Sequence, residues 1–169
     1  VKEDDRVMML VVDGLGHGPH AHVAAREAIA ALVEHPQAGP LEVMQFAQEK
    51  LLPTRGAAVA VAEIIPSTGK VRFVGVGNIG AFIVAGGKTQ RMVSLNGVVG
   101  VPPFRGRVMD YSFARPATIV FFSDGLQTQT RMDGYEGLAN NDPAVIAGVL
   151  YRDFRRSRDD ATAVVVSIN

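Results

Sequence analysis

Three aspartates occupy one kind of place in this sequence. Asp13 closes the apolar run Val7–Val12 and is followed by Gly14, and Asp124 closes Ile119–Phe122 and is followed by Gly125. Asp159, with Asp160 beside it, immediately precedes the largely apolar run Ala161–Ile168. A carboxylate at the tip of a buried strand is costly unless it is paired or bound to a cation. If the three tips lie side by side, acids converge with few basic residues near them in sequence. Hard divalent cations held through oxygen are then the natural solution. Each aspartate can equally start a turn, because Asp-Gly is ordinary turn chemistry. Spacing alone does not decide between these readings.

Other reactive side chains gather near the first aspartate. His17, His20 and His22 fall within six positions of one another. A zinc site is one reading, but no cysteine exists to complete a set. His17, four residues from Asp13, suits a general acid for a leaving hydroxyl, or a residue that fixes the glycine loop. Arg55 suits a partner for a phosphate or a site carboxylate, and also a cap for the carbonyls of the preceding helix. Gly16-His17-Gly18-Pro19-His20-Ala21 fits a dinucleotide-binding turn. Against that reading, Asp13 would place negative charge beside a pyrophosphate, and the pattern that follows is a second helix rather than a parallel strand.

The elements that must position these residues follow from periodicity and punctuation. Arg6–Val12 reads as a buried strand after a polar turn that includes Asp4 and Asp5. Pro19 opens a helix in which Ala21, Ala25, Ala28, Ile29 and Leu32 recur at helical spacing, and His35-Pro36 ends it. A second helix runs from Pro40 to Leu52, stopped by Pro53. Strands are expected at Ala57–Ile65, Lys70–Val76, Ala81–Ala85 and Thr89–Leu95, close enough to form an antiparallel meander. Asn96–Arg107 reads as loop, then Val108–Phe113 and Ala117–Phe122 as strands. A third helix is expected at Pro143–Phe154 and a last buried strand at Ala161–Ile168. Arg152–Arg158 is locally basic and reads as the solvated end of that helix. Helices grouped in two places, not alternating with strands, indicate an α+β layered fold.

Composition narrows the class. The chain of 169 residues suits one domain, and 47% hydrophobic with 20% charged residues is ordinary globular composition. Seventeen basic against seventeen acidic side chains leave no excess for neutralising nucleic-acid phosphates. Absence of cysteine removes disulfides and thiolate catalysis and is compatible with a reducing cytoplasm. The run Val7–Val12 is far short of the ~20 residues a membrane-spanning helix needs, and no leader pattern opens the chain. The expectation is a cytoplasmic protein with no membrane or nucleic-acid partner.

Five segments stand in a recognisable order: Val12-Asp13-Gly14-Leu15-Gly16-His17-Gly18, Thr54-Arg55-Gly56-Ala57, Gly75-Val76-Gly77-Asn78, Ser123-Asp124-Gly125-Leu126 and Arg158-Asp159-Asp160-Ala161-Thr162. Together they resemble the PPM/PP2C family of metal-dependent serine/threonine phosphatases. Within it they resemble the SpoIIE-type branch and its small stand-alone stressosome phosphatases (RsbX-like). The resemblance covers essentially the whole chain. It implies a four-layer α-β-β-α sandwich of two antiparallel sheets flanked by helices. It also implies two Mn²⁺ or Mg²⁺ ions and direct hydrolysis of a phosphate ester by water. Carried over by motif, Asp13 binds both metals, the Gly14 carbonyl the second, and Asp124 and Asp159 the first. Asp160 stands where many relatives have asparagine.

One position departs from the pattern. The family uses a further acid on the strand before the Asp-Gly motif, and nothing here fills that place. Asp4 and Asp5 lie at the far end of strand 6–12, about 20 Å from Asp13 at ~3.3 Å per residue. The expectation is a single domain over 1–169 that lacks its first N-terminal strand. The resemblance further implies phosphorylated STAS-domain proteins of a stressosome (RsbS- and RsbR-like) as partners and substrates. Two alternatives stand beside it: a SpoIIE- or RsbU-type phosphatase of an anti-anti-sigma factor, and a degenerate regulatory module without activity.

Overall fold

The computed structural model describes residues 1–3, 5–157 and 159–169. Its strands and helices follow from where apolar residues recur and where glycine or proline interrupts them. Chain order is β1 (Lys2–Glu3), β2 (Arg6–Gly14), α1 (Pro19–Glu34), α2 (Pro40–Leu51), β3 (Ala57–Ile65), β4 (Lys70–Val76), β5 (Gly80–Ala85) and β6 (Lys88–Met92). Then come β7 (Met109–Ser112), β8 (Ala117–Phe122), α3 (Pro143–Phe154) and β9 (Ala163–Ile168). Short 3₁₀ turns cover Pro66–Thr68 and Leu138–Asn140. Packing divides the chain into two units, Val1–Ile79 with Ser94–Tyr111, and Gly80–Val93 with Ser112–Asn169.

The first unit is built on a sheet of order β1-β2-β3-β4-β7. β3, Ala-Ala-Val-Ala-Val-Ala-Glu-Ile-Ile, is buried from Ala57 to Ile64, as a central strand requires. On α1 the buried residues are Ala24, Ala28, Ala31 and Leu32, a stripe at helical spacing whose small side chains allow close approach. α2 adds Val43, Met44, Ala47 and Leu51, and both helices share a core with Met8, Val59, Val61, Val74 and Val76. Glu63, buried in β3, is satisfied by Arg6 at 2.7 Å and Arg72 at 3.0 Å. The same Arg6 donates to the carbonyls of Pro36 and Ala38 at 2.8 and 2.6 Å, tying the α1–α2 connection to the sheet. A buried carboxylate is tolerable on those terms.

The second unit has a sheet of order β6-β5-β8-β9. β8 is buried throughout, and α3 places Ile146 and Leu150 in one cluster with Phe82, Val120, Phe122 and Leu126. Asp142 caps α3, its carboxylate accepting the Ala144 N–H at 2.8 Å.

The α+β class expected from the sequence is observed, with helices carried on antiparallel sheets. Two expectations need correction. The strands from Ala57 to Leu95 do not form one meander: β4 pairs with β3 and β7, whereas β5 pairs with β6 and β8. Alternating apolar residues specify a strand but not its neighbour, and the switch falls at Gly77–Ile79. The strand expected to reach Leu95 ends at Met92. Leu95 instead exchanges main-chain bonds with Gly75 and Gly77 at 2.8 and 2.9 Å, and the Ser94 hydroxyl donates to the Ile79 carbonyl. No helix among the described residues is long and apolar enough to cross a membrane.

Candidate metal centre

Asp13, Gly14, His17 and Arg55 belong to the first unit. Asp13 is half-buried and pairs across the ladder with Ala58, and Gly14 pairs with Ala57. Leu15 donates to the Gly56 carbonyl at 3.0 Å, while Ala57 exchanges both of its main-chain bonds with Val99 at 3.0 and 2.9 Å. Antiparallel bonding alternates along a strand, so the Gly14 carbonyl faces away from β3. Glycine is required here, because a β-carbon on Gly14 would stand 2.2 Å from the carbonyl oxygen of Ala21. The first turn of α1 therefore lies directly on the end of β2, with Gly18 at positive φ as its N-cap and Pro19 following.

His17, His20 and His22 are all exposed at this turn. Arg55 is exposed as well, and one of its guanidinium nitrogens would lie 3.1 Å from a β-carbon on Gly16. The helix-capping alternative for Arg55 is corrected. Thr54 performs that task, its N–H and hydroxyl donating to the Leu51 carbonyl at 2.9 and 2.8 Å. The Thr54 hydroxyl also accepts the Gly56 N–H at 2.9 Å. Arg55 is left beside the glycine loop with no ion pair to a described carboxylate.

Of the two acids at the far end of β2, Asp4 lies outside the described residues. Asp5 holds the Ser67 N–H at 2.9 Å and accepts its hydroxyl, as a turn residue does. β1 pairs only with Arg6 and Val7, at the end of β2 remote from Asp13.

Asp124 and Asp159 belong to the second unit, and the segments that carry them adjoin. Ser123, buried after β8, donates its N–H to the Thr162 carbonyl at 3.1 Å, and its hydroxyl accepts the Thr162 N–H at 3.0 Å. This clamp is why β9 begins at Ala163 and not at Ala161. A β-carbon on Gly125 would stand 1.9 Å from the Asp160 carbonyl oxygen, so the Asp124–Gly125 turn and the Asp159–Asp160 segment touch backbone to backbone. Asp124 is half-buried and Asp159 exposed. Arg158 of the same motif lies outside the described residues. Reading by motif gave Ser123 no role. The available signal was a lone hydroxyl between an apolar strand and an Asp-Gly turn.

Taken singly, the carboxylates of Asp13, Asp124 and Asp159 and the Gly14 carbonyl are oxygen donors of the kind hard divalent cations take. Among the described residues no three His, Asp or Glu side chains form a ready metal cluster.

A protein-family model for stage II sporulation protein E (SpoIIE) matches residues 3–169. A search among curated proteins returned no match. Solved structures are similar over nearly the whole chain. One, from work on the bacterial stressosome as a modular system adapted to control secondary messenger signalling, is 25% identical. Its TM-score is 0.84, with 99% of this chain and 87% of that chain covered. RsbX in complex with magnesium is 17% identical, with a TM-score of 0.87 and coverage of 100% and 84%. The PP2C phosphatase domain of SpoIIE from Bacillus subtilis, with a fragment of its regulatory domain, is 22% identical. Its TM-score is 0.76, and coverage is 96% of this chain and 55% of that one. The fold is thus that of the PP2C phosphatases, and the chain belongs to the SpoIIE family.

Proposed function

We propose that this chain is a metal-dependent protein phosphatase that hydrolyses phosphoserine or phosphothreonine, with Asp13, Asp124 and Asp159 as its metal-binding carboxylates. The observation that carries this reading is membership of the SpoIIE family across residues 3–169. Asp13 at the end of β2, Asp124 just after β8 and Asp159 in the segment leading to β9 support it. Asp13 is assigned to two ions, the Gly14 carbonyl to the second and Asp124 with Asp159 to the first. Two divalent ions, Mn²⁺ or Mg²⁺, when bound supply Lewis acidity toward water and the phosphoryl oxygens.

The remaining tasks fall to the chain's own side chains. Arg55, beside the glycine loop, pairs with the substrate phosphate through a charge-assisted contact. His17, in the same loop, is proposed either to hold the loop in shape or to return a proton to the leaving serine or threonine oxygen as the phosphorus–oxygen bond breaks. The clamp from Ser123 to Thr162 joins the turn that carries Asp124 to the segment that leads into β9, which limits how far the two backbones must move on binding.

The proposed substrates are phosphorylated STAS-domain proteins of a bacterial stressosome, in the cytoplasm, where the enzyme would act as a negative-feedback regulator of stress signalling. The likeness to RsbX and to the stressosome-related structure supports this choice over a phosphatase of an anti-anti-sigma factor. Phosphate release from a phosphorylated STAS protein and from a phosphoserine peptide, each with Mn²⁺, tests the reading. Release from both, faster from the STAS protein, is expected. Release from neither would leave the degenerate regulatory module as the better description.

A further inference from the structure

The basic stretch that ends α3 is not a free solvated tail. Gln127 donates to the Phe154 carbonyl at 2.9 Å, and Arg156 donates to the Gly125 carbonyl at 2.8 Å. Leu126 and Arg155 form an antiparallel bridge between them. Residues 154–156 therefore run alongside 125–127, fixed by main-chain bonds to the turn that carries Asp124. Two guanidinium groups are delivered to that edge and remain exposed.

Among the described residues neither is neutralised by an ion pair. Arg152 is neutralised by Asp153 at 2.6 Å. Arg155 instead lies over the Tyr151 ring at 5.3 Å, and Arg156 reaches only the Thr128 hydroxyl at 3.5 Å. Neither forms an ion pair with a described carboxylate, although Asp159 and Asp160 follow closely in sequence. Two exposed guanidinium groups that form no ion pair with a described carboxylate can take an arriving anion.

We infer that Arg155 and Arg156 form a docking rim for an acidic peptide segment flanking the phosphorylated residue of the substrate protein. This rests on the phosphatase reading above, which places the reaction beside Asp124. A polynucleotide is the poorer occupant: with seventeen acids balancing seventeen bases, the chain has no excess to spread along a phosphate backbone. Two guanidinium forks match one or two peptide carboxylates. They also offset the repulsion an acidic segment meets on approaching Asp124, Asp159 and Asp160.

The test uses fluorescent peptides in which a non-hydrolysable phosphonate replaces phosphoserine, flanked either by Asp and Glu or by Ala. Anisotropy with the full chain is expected to show the acidic peptide binding about tenfold tighter. That preference should shrink as salt rises from about 0.05 M to about 0.3 M. In R155E/R156E the preference is expected to vanish or invert, and in R155Q/R156Q to fall by about half on a logarithmic scale. Circular dichroism confirms the fold of each; if charge reversal unfolds the chain, the glutamine pair decides. A parent with no preference, or a preference that survives both double variants, would overturn the rim. Hydrolysis of p-nitrophenyl phosphate by the parent reports separately on the phosphatase reading, and binding does not depend on it.

Discussion

Gly125 and Asp160 are in main-chain contact, so close that a β-carbon on the glycine would stand 1.9 Å from the aspartate carbonyl oxygen. That contact, with the Ser123–Thr162 clamp beside it, makes one element of two stretches more than thirty residues apart. A substitution there acts on geometry before it acts on chemistry. Gly125→Ala is expected to destabilise by about 1–3 kcal/mol, as overpacking of backbone against backbone does. The melting temperature should fall by about 3–10 °C for a chain of this size. Thermal unfolding checks this, and an unshifted melting temperature would show that the turn can move aside.

Thr54 and Arg55 separate structure from recognition at adjacent positions. Thr54→Ala removes bonds to Leu51 and Gly56 and is expected to cost about 1–2 kcal/mol of stability. Arg55→Ala removes no ion pair to a described carboxylate and should leave the denaturation midpoint nearly unmoved. It should lower kcat/KM toward a phosphoserine peptide by about tenfold or more. Urea titrations and steady-state kinetics on the two variants check the pair. A stable Arg55→Ala enzyme with full kcat/KM would remove Arg55 from phosphate recognition.

The legible part of this fold was its punctuation. Pro19, Pro40 and Pro143 each open a helix where the sequence placed one, and His35-Pro36 closes α1 as expected. Strand partners were not legible. Nothing in Lys70–Val76 and Ala81–Ala85 distinguishes adjacent strands of one sheet from strands of two, because both alternatives bury the same apolar residues. At the candidate site the aspartates and glycines could be named from their places at strand ends. The residues that hold them could not. The role of Ser123 depends on a partner at Thr162, and Arg155 reads as solvated until its bridge to Leu126 is seen.

The pKa of the Asp153 carboxyl is held down to about 2 by hydrogen bonds from Arg152 and then from the Tyr135 hydroxyl. The sign follows from linkage. A carboxylate whose pKa is lowered by folding contributes stability above its unfolded value, near 3.8, and loses it as pH falls toward about 2. Asp153→Asn should lower stability at neutral pH, by little because the pair is exposed, and flatten the acid limb between those values by the same small amount. Urea midpoints across that range check it; an acid limb identical to the parent's would remove Asp153 as a contributor.

Cation binding by three separated carboxylates is the proposal on which the enzymatic reading depends. Calorimetric titration with Mn²⁺, on the parent and on Asp13→Asn, Asp124→Asn and Asp159→Asn, measures it without relying on turnover. Each substitution is expected to weaken Mn²⁺ binding by about tenfold or more while the chain stays folded. Parent-like Mn²⁺ affinity in all three variants, or no binding by the parent at millimolar ion, would contradict it.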